Sequence, residues 1–239
     1  MSPQLKRSLL SLATEPYRLT GGFNYRWALG KLRYDPMFVA LLDQGVIPDG
    51  AHVLDLGCGR GLLAAWFLAA EQLAARGQWS GVVAPPQGLY FRGVEQLARE
   101  AECGHRALQA VYGNRLEIST GDLREANLRN ADVIVMLDVL HYLSYAEQDR
   151  LLDRVRAALD AGGLFVTRVG NAGATLRFKL GHFSDRLAAF IQGQRRQQVW
   201  CRPAAAWIAA LKSRGFAVKA QPMSRGTPFA NVMLIAQVG

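Results

Sequence analysis

The sequence contains few cysteines and no long apolar run. Its three cysteines lie far apart and show no CxxC spacing, so we expect neither a disulfide framework nor a cysteine-based zinc site. The longest apolar stretch, residues 62–70, is much shorter than the roughly 18 residues that a membrane-spanning helix needs. Near the N-terminus, Glu15 and Pro16 interrupt the apolar patch before a signal-peptide core can form. We predict a cytoplasmic chain without a membrane span and without a metal.

Acidic residues are scarce in the last third of the chain. Residues 1–160 contain 17 Lys and Arg and 18 Asp and Glu, whereas residues 161–239 contain 11 basic residues and a single acidic one, Asp185. The whole formal net charge of +9 therefore comes from the C-terminal part. A basic region next to a neutral one indicates an anionic partner: a phosphate-bearing substrate, an acidic carrier protein, a nucleic acid or a lipid surface. The alternative is a basic surface that only faces solvent.

Short apolar runs alternate with segments of helical period along most of the chain. We predict strands at residues 53–55, 90–94, 115–118, 133–137 and 164–169, and helices at residues 61–76, 96–112 and 145–159. This alternation indicates a parallel sheet that is covered on both faces. A last helix, residues 204–213, precedes two strands, residues 216–220 and 232–238. Their short connection predicts an antiparallel hairpin at the sheet edge.

A glycine-rich segment, VLDLGCGRG, follows the first predicted strand at residues 53–61. Its glycines stand at alternate positions, and a leucine occupies the place of the last glycine in the dinucleotide fingerprint GxGxxG. With Asp55 two positions before the first glycine, the segment resembles the first motif of class I S-adenosylmethionine-dependent methyltransferases. The resemblance implies that the backbone of Gly57, Cys58 and Gly59 passes close to the cofactor, S-adenosyl-L-methionine. It also implies that Asp55 lies near the cationic amino acid end of that cofactor.

Glu95 ends the second predicted strand, in the segment GVE. The resemblance implies that its carboxylate accepts hydrogen bonds from both ribose hydroxyls. Glu95 follows Asp55 by 40 residues, whereas about 20 separate the corresponding acids in dinucleotide-binding folds. An inserted loop at residues 77–88, rich in glycine and proline, accounts for the excess. The alternative is a surface glutamate that opens a helix.

Two later segments resemble further parts of the same family. In STGDL, residues 119–123, the resemblance implies that Asp122 accepts a hydrogen bond from the adenine amino group and that Leu123 contacts the ring. An ordinary helix-capping aspartate is the alternative for Asp122. In DVIVMLDVLHYL, residues 132–143, Asp138 ends a buried strand at the edge where open α/β sheets bind their ligands. We count Asp138 among the cofactor-binding residues.

The resemblance implies methyl transfer from a sulfonium to a nucleophile, with S-adenosyl-L-homocysteine as the product. Alignment of the two reactants supplies most of the acceleration, and a general base is needed only for an acceptor that carries a proton. His141 is the catalytic candidate, because it follows the fourth strand and histidine titrates near neutrality. The alternative is that His141 and Tyr142 only shape the cofactor pocket.

The resemblance implies one methyltransferase domain, residues 1–239, with a seven-stranded, mostly parallel, doubly wound sheet and an antiparallel last strand. We divide it into a helical N-terminal lid or cap (1–48), a cofactor-binding core (49–169), a substrate cap (170–203) and a C-terminal helix with a strand hairpin (204–239). The cap combines apolar side chains with basic ones, namely Arg177, Lys179, Arg186, Arg195, Arg196 and Arg202. This mixture favours an aromatic or acyl acceptor with an anionic group, free or bound to a carrier protein. The alternative is a helix that packs in the core with its arginines in solvent.

Other functions stay open at this level. An RNA or DNA methyltransferase would use the same core and the basic C-terminal face, although no NPPY-like tetrad follows Leu137. A cofactor-binding protein of the same fold without catalysis is a second alternative. The glycine spacing disfavours a nicotinamide-dependent dehydrogenase. The sequence predicts neither the atom that is methylated nor the oligomeric state.

Overall fold

The computed structural model describes residues 1–170, 198–223 and 231–239. The chain divides into two compact units, residues 1–127 and residues 128–239. No helix within the described ranges is long and apolar enough to cross a membrane.

Three parallel strands form the sheet of the first unit: β1 (His52–Leu56), β2 (Tyr90–Glu95) and β3 (Leu116–Thr120). β2 pairs with both of the others, which places Asp55 opposite Gly93 and Glu95 opposite Thr120. Two helices follow β1 and β2, namely α4 (Leu62–Ala75) and α5 (Ala98–Tyr112). α4 is apolar around most of its circumference and is almost entirely buried, as expected of a helix in the core. Residues 77–88, predicted as an inserted loop, contain no helix or strand.

The first 48 residues form a packed helical segment. It contains α1 (Pro3–Thr14), a 3₁₀ helix (Glu15–Thr20), α2 (Gly22–Tyr34) and α3 (Pro36–Asp43). Ser2 caps α1 by accepting a hydrogen bond from the Leu5 amide, and Asp35 caps α3 in the same way. The apolar face of α1 packs on α4. The predicted helical character of this segment is therefore present, while its role as a lid stays a prediction.

The second unit contains four strands: β4 (Val133–Leu137), β5 (Leu164–Gly170), β6 (Phe216–Pro222) and β7 (Asn231–Val238). A 3₁₀ helix (Leu140–Tyr142) follows β4 and leads to α6 (Tyr145–Ala158), while α7 (Ala204–Lys212) precedes β6. A capping box between Ser144 and Glu147 fixes the start of α6. β4 and β5 are parallel, and β7 is antiparallel to both β5 and β6.

The seven strands form one sheet in the order β3-β2-β1-β4-β5-β7-β6. This order confirms the predicted α/β class, with its mostly parallel sheet and one antiparallel strand close to an edge. Each predicted strand and helix is present, with ends that agree within two residues. Most of the predicted substrate cap lies outside the described residues, including Arg177, Lys179, Arg186, Arg195 and Arg196.

Candidate active site

The glycine-rich segment forms a tight turn between β1 and α4. Gly59 and Gly61 have φ angles of 56° and 74°, a left-handed conformation that favours glycine. At Gly61 a side chain would also meet neighbouring atoms, since a Cβ atom would lie 2.8 Å from Cδ1 of Ile118. The Gly57 amide donates a hydrogen bond to the Val94 carbonyl at the end of β2. The turn therefore presents its backbone, and not side chains, at the end of β1.

Glu95 binds this turn directly. One carboxylate oxygen accepts a hydrogen bond from the Gly59 amide at 2.9 Å, and the other accepts from the Leu97 amide at 2.8 Å. A carboxylate has about four acceptor positions, so two remain for a ligand's hydroxyl groups. The structure thus brings Glu95 together with the glycine turn, as the resemblance implies, although no ribose contact is tested.

Asp55 is a buried carboxyl group on β1, with 6% of its surface exposed. Burial, and secondarily the negative charge of Glu95, raises its pKa from 3.8 to about 7. A ligand's ammonium group beside Asp55 would favour the carboxylate and lower this pKa. Cys58, in the turn, is half-buried, and burial raises the pKa of its thiol. The donor set therefore fits a ligand that combines a cationic amino group with hydroxyl groups, as S-adenosylmethionine does.

Asp122 and Leu123 follow β3, as predicted. The carboxylate of Asp122 is bound by Arg124, whose Nε and Nη2 atoms lie 2.9 and 2.6 Å from its Oδ2 atom. The hydrogen bonds from Arg124 lower the pKa of Asp122. Leu123 is half-buried. No pattern in the sequence indicated the pairing of Asp122 with Arg124, and adenine recognition by this segment stays a prediction.

Asp138 lies in the second unit, directly after β4. It has a φ angle of 60°, a left-handed conformation that is uncommon for a residue other than glycine. Arg168 on β5 binds its carboxylate through Nε, at 2.8 Å, and through Nη2. The Arg168 side chain is almost fully buried. A buried cation that sequence reasoning missed therefore orients Asp138, and the predicted cofactor contact of Asp138 stays a prediction.

His141 and Tyr142 lie in the 3₁₀ helix after β4. Their ring centroids are 4.1 Å apart, and the Nε2 atom of His141 is buried. The His141 carbonyl accepts a hydrogen bond from the Trp200 amide at 2.8 Å. Trp200 in turn packs edge-on against Tyr145, at 5.1 Å between ring centroids. The ring of the candidate base thus contacts that of Tyr142, and its backbone is joined to Trp200, which the sequence patterns did not indicate, as they did not indicate Tyr145.

Gln148 is a further residue that the sequence patterns did not indicate. It is fully buried on α6, and its side-chain nitrogen lies 3.0, 3.0 and 2.8 Å from the carbonyl oxygens of Leu140, Leu143 and Trp200. Gln148 therefore holds both ends of the His141 segment and the segment that contains Trp200. One sequence signal was available, because Gln148 stands three positions before Leu151 on the apolar face of the helix.

Arg202 is the described basic residue of the predicted cap. Its guanidinium binds both carboxylate oxygens of Asp149 on α6, at 3.0 and 2.8 Å. It also lies 5.3 Å from the ring centroid of Tyr145 and 5.2 Å from that of Trp207. Hydrogen bonding by Arg202 lowers the pKa of Asp149. Arg202 therefore attaches the start of α7 to α6.

Comparison with known sequences identifies a methyltransferase domain at residues 54–165. Two curated relatives are named carboxy-S-adenosyl-L-methionine synthase. The one from Chromohalobacter salexigens is 30% identical over 118 residues, which is 49% of this chain and 39% of that protein. The one from Campylobacter curvus is 26% identical over 121 residues, which is 51% of this chain and 45% of that protein. The match thus spans less than half the length of either relative.

Solved structures with a similar fold include several methyltransferases. Magnesium protoporphyrin IX methyltransferase from Synechocystis PCC 6803, with bound S-adenosylhomocysteine, has a TM-score of 0.59 at 19% identity, over 93% of this chain and 92% of that one. Human N-acetylserotonin methyltransferase, in complex with S-adenosylmethionine, has a TM-score of 0.60 at 16% identity, over 89% and 54%. These likenesses concern the fold. The family match thus identifies a methyltransferase domain within residues 54–165, and the likenesses show that the chain has the fold of S-adenosylmethionine-dependent methyltransferases.

Proposed function

We propose that this chain transfers the methyl group of S-adenosylmethionine to a small acceptor that carries an anionic group. The main support for S-adenosylmethionine as the cofactor is the buried Asp55, which lies beside Glu95 and the glycine turn. A carboxyl group whose pKa is raised to about 7 binds a cationic partner favourably, because the partner compensates its burial. The cofactor supplies an electrophilic methyl group on a sulfonium centre.

In this proposal the residues of the first unit hold the cofactor. Asp55 pairs with the ammonium group, and Glu95 accepts hydrogen bonds from the ribose hydroxyls while it keeps the Gly59 amide. Gly57, Cys58 and Gly59 let the cofactor approach the backbone. Asp122 and Leu123 address the adenine.

Residues after β4 serve the acceptor, because open α/β sheets bind their ligands outside the carboxyl ends of the strands. Asp138, held by Arg168, fixes the start of this segment, and we place it at the cofactor edge. His141 removes a proton from a hydroxyl or amine acceptor during methyl transfer. The rings of Tyr142 and Trp200 suit a planar or apolar acceptor.

Two observations support a small anionic acceptor. The structural neighbours named above are methyltransferases of a porphyrin and of N-acetylserotonin, which are small molecules. The basic excess of residues 161–239 complements an anionic group on the acceptor. A carrier-bound acyl group satisfies the same two features and is one arm of the test.

The test uses S-adenosylmethionine labelled in its methyl group. The purified chain is incubated with aromatic carboxylic acids, with carrier-bound acyl groups and, separately, with RNA. We expect label in one of the first two sets, together with formation of S-adenosylhomocysteine, and no transfer by the Asp55→Asn variant. Label in RNA alone would overturn the small-molecule assignment. No transfer to any of the three sets would contradict the proposed function.

A second candidate function is the conversion of S-adenosylmethionine itself into its carboxylated derivative. The likeness to the two carboxy-S-adenosyl-L-methionine synthases, over about half of this chain, favours it. The two candidates differ in their nucleoside product. Mass spectrometry of the cofactor after isolation from expressing cells distinguishes them, because a carboxyl group that replaces one hydrogen makes the cofactor heavier than S-adenosylmethionine by the mass of CO2. Its detection in the bound fraction would favour this candidate over methyl transfer.

A further inference from the structure

Arg60 stands inside the glycine turn, between Gly59 and Gly61, and nevertheless points its charge into the protein. Only 5% of its surface is exposed. A buried guanidinium is unfavourable unless it is paired and hydrogen-bonded. The partners of Arg60 therefore show which parts of the protein hold the glycine turn in place.

The guanidinium of Arg60 binds two helices of the first unit. Its Nε and Nη2 atoms lie 2.6 and 3.0 Å from the two carboxylate oxygens of Glu100 on α5. Its Nη1 atom donates to the side-chain oxygen of Asn24 on α2 at 2.8 Å. Such a bidentate pair restricts orientation as well as distance, which lysine cannot reproduce.

Aromatic residues of the N-terminal segment complete the surroundings of Arg60. The ring centroid of Trp27 on α2 lies 4.3 Å from the guanidinium carbon, within the range of a cation–π interaction. The hydroxyl of Tyr17, a fully buried residue, donates a hydrogen bond to the Arg60 carbonyl at 2.8 Å. Tyr17 and Trp27 of the N-terminal helical segment thus both contact Arg60 in the glycine turn.

The backbone of Arg60 is also in close contact with α5. At Gly104 a Cβ atom would lie 2.8 Å from the Arg60 carbonyl carbon and oxygen. The glycine turn is therefore held by two helices: α5 packs against the backbone of Arg60, and α2 contacts its side chain. Arg60 thus contacts α2 and α5 at the same time.

We propose that Arg60 is a positioning residue. It fixes the glycine turn to α2 and α5, so that contacts made by α2 of the N-terminal segment affect the affinity for the cofactor. The inference rests on the proposed cofactor role of the turn. Loss of an Arg60 contact on α2 lets the turn open more often, so that the amide hydrogens of Gly59 and Gly61 exchange with solvent faster. Those amides bind the Glu95 carboxylate and the Cys58 carbonyl, at 2.9 Å each.

The experiment substitutes residues of α2 and leaves the sequence of the glycine turn unchanged. Asn24→Ala and Trp27→Leu each remove one Arg60 contact, and Tyr34→Leu is the matched control, because Tyr34 is an exposed aromatic residue of the same helix. Calorimetric titration with S-adenosylhomocysteine gives the affinity. Hydrogen exchange of the cofactor-free protein gives the opening of the turn, with the amides of β7 as an internal reference.

We expect both contact variants to bind S-adenosylhomocysteine about three- to tenfold more weakly than the wild type. The Gly59 and Gly61 amides should exchange faster by a similar factor, while β7 and the Tyr34→Leu variant stay unchanged. Unchanged affinity and exchange in the contact variants would overturn the inference, as would equal losses in all three variants. A wild type that binds no S-adenosylhomocysteine would refute the proposed function, yet the exchange measurement would still test the role of Arg60.

Discussion

Asp55 should stabilise the bound cofactor while it destabilises the cofactor-free fold. Its pKa is raised from 3.8 to about 7, so folding takes up a proton at this group between these two pH values. The protonated carboxyl is tolerated in the folded chain, whereas the carboxylate is opposed by burial and by the charge of Glu95. The folded state therefore loses stability as the pH rises from about 4 to about 7.

The perturbation that reveals this is Asp55→Asn, which keeps the shape of the side chain and cannot ionise. With the two pKa values above, ionisation of Asp55 opposes folding by about 2 kcal/mol at pH 5 and about 4 kcal/mol at pH 8. We expect the variant to be more stable than the wild type by amounts that increase with pH in this way.

Urea unfolding at pH 5 and pH 8, followed by circular dichroism, measures the difference in the free energy of unfolding. Asp160→Asn is the control, because it removes the same charge from an exposed position. A stability difference that is constant with pH, or a variant that is less stable than the wild type at pH 8, would refute the reasoning. The Asp55→Asn variant should also lose cofactor affinity, so that one substitution raises stability and lowers function.

Three further predictions concern Asp55, His141 and Gln148. The affinity of the wild type for S-adenosylhomocysteine should fall about tenfold from pH 8 to pH 6, because only the carboxylate of Asp55 pairs with the ligand's ammonium group; a flat calorimetric profile would exclude that pairing. His141→Ala should lower the rate of methyl transfer about a hundredfold with little change in cofactor affinity, and full activity in a steady-state assay would make His141 a packing residue. Gln148→Leu should lower the free energy of unfolding by about 2–4 kcal/mol, since three carbonyl oxygens lose their common donor; urea unfolding that shows no loss would mean that these carbonyls find other partners.

Local patterns in the sequence predicted the architecture well. The strands and helices follow from hydrophobic periodicity, which depends on neighbouring residues only, and the glycine turn follows from its spacing. The acid at the end of β2 was placed correctly because a strand end is visible in the sequence. Its hydrogen bond to the Gly59 amide, 36 residues away, confirms that Glu95 and the turn meet.

Pairings between distant polar residues could not be predicted in the same way. Arg60 binds Glu100 across 40 residues, and Arg168 binds Asp138 across 30. Neither pair shows a local pattern, because the packing of helices and strands brings the partners together. The raised pKa of Asp55 has the same origin, since burial is a property of the fold and not of the motif.

The measurement that tests the cofactor assignment most directly is a parallel calorimetric titration of the wild type with S-adenosylmethionine, S-adenosylhomocysteine and NAD. We predict binding of the first two with dissociation constants in the micromolar range, about −8 kcal/mol at 1 µM, and no binding of NAD. Asp55→Asn should weaken both interactions. Binding of NAD alone, or of none of the three, would contradict the assignment of the glycine turn to S-adenosylmethionine.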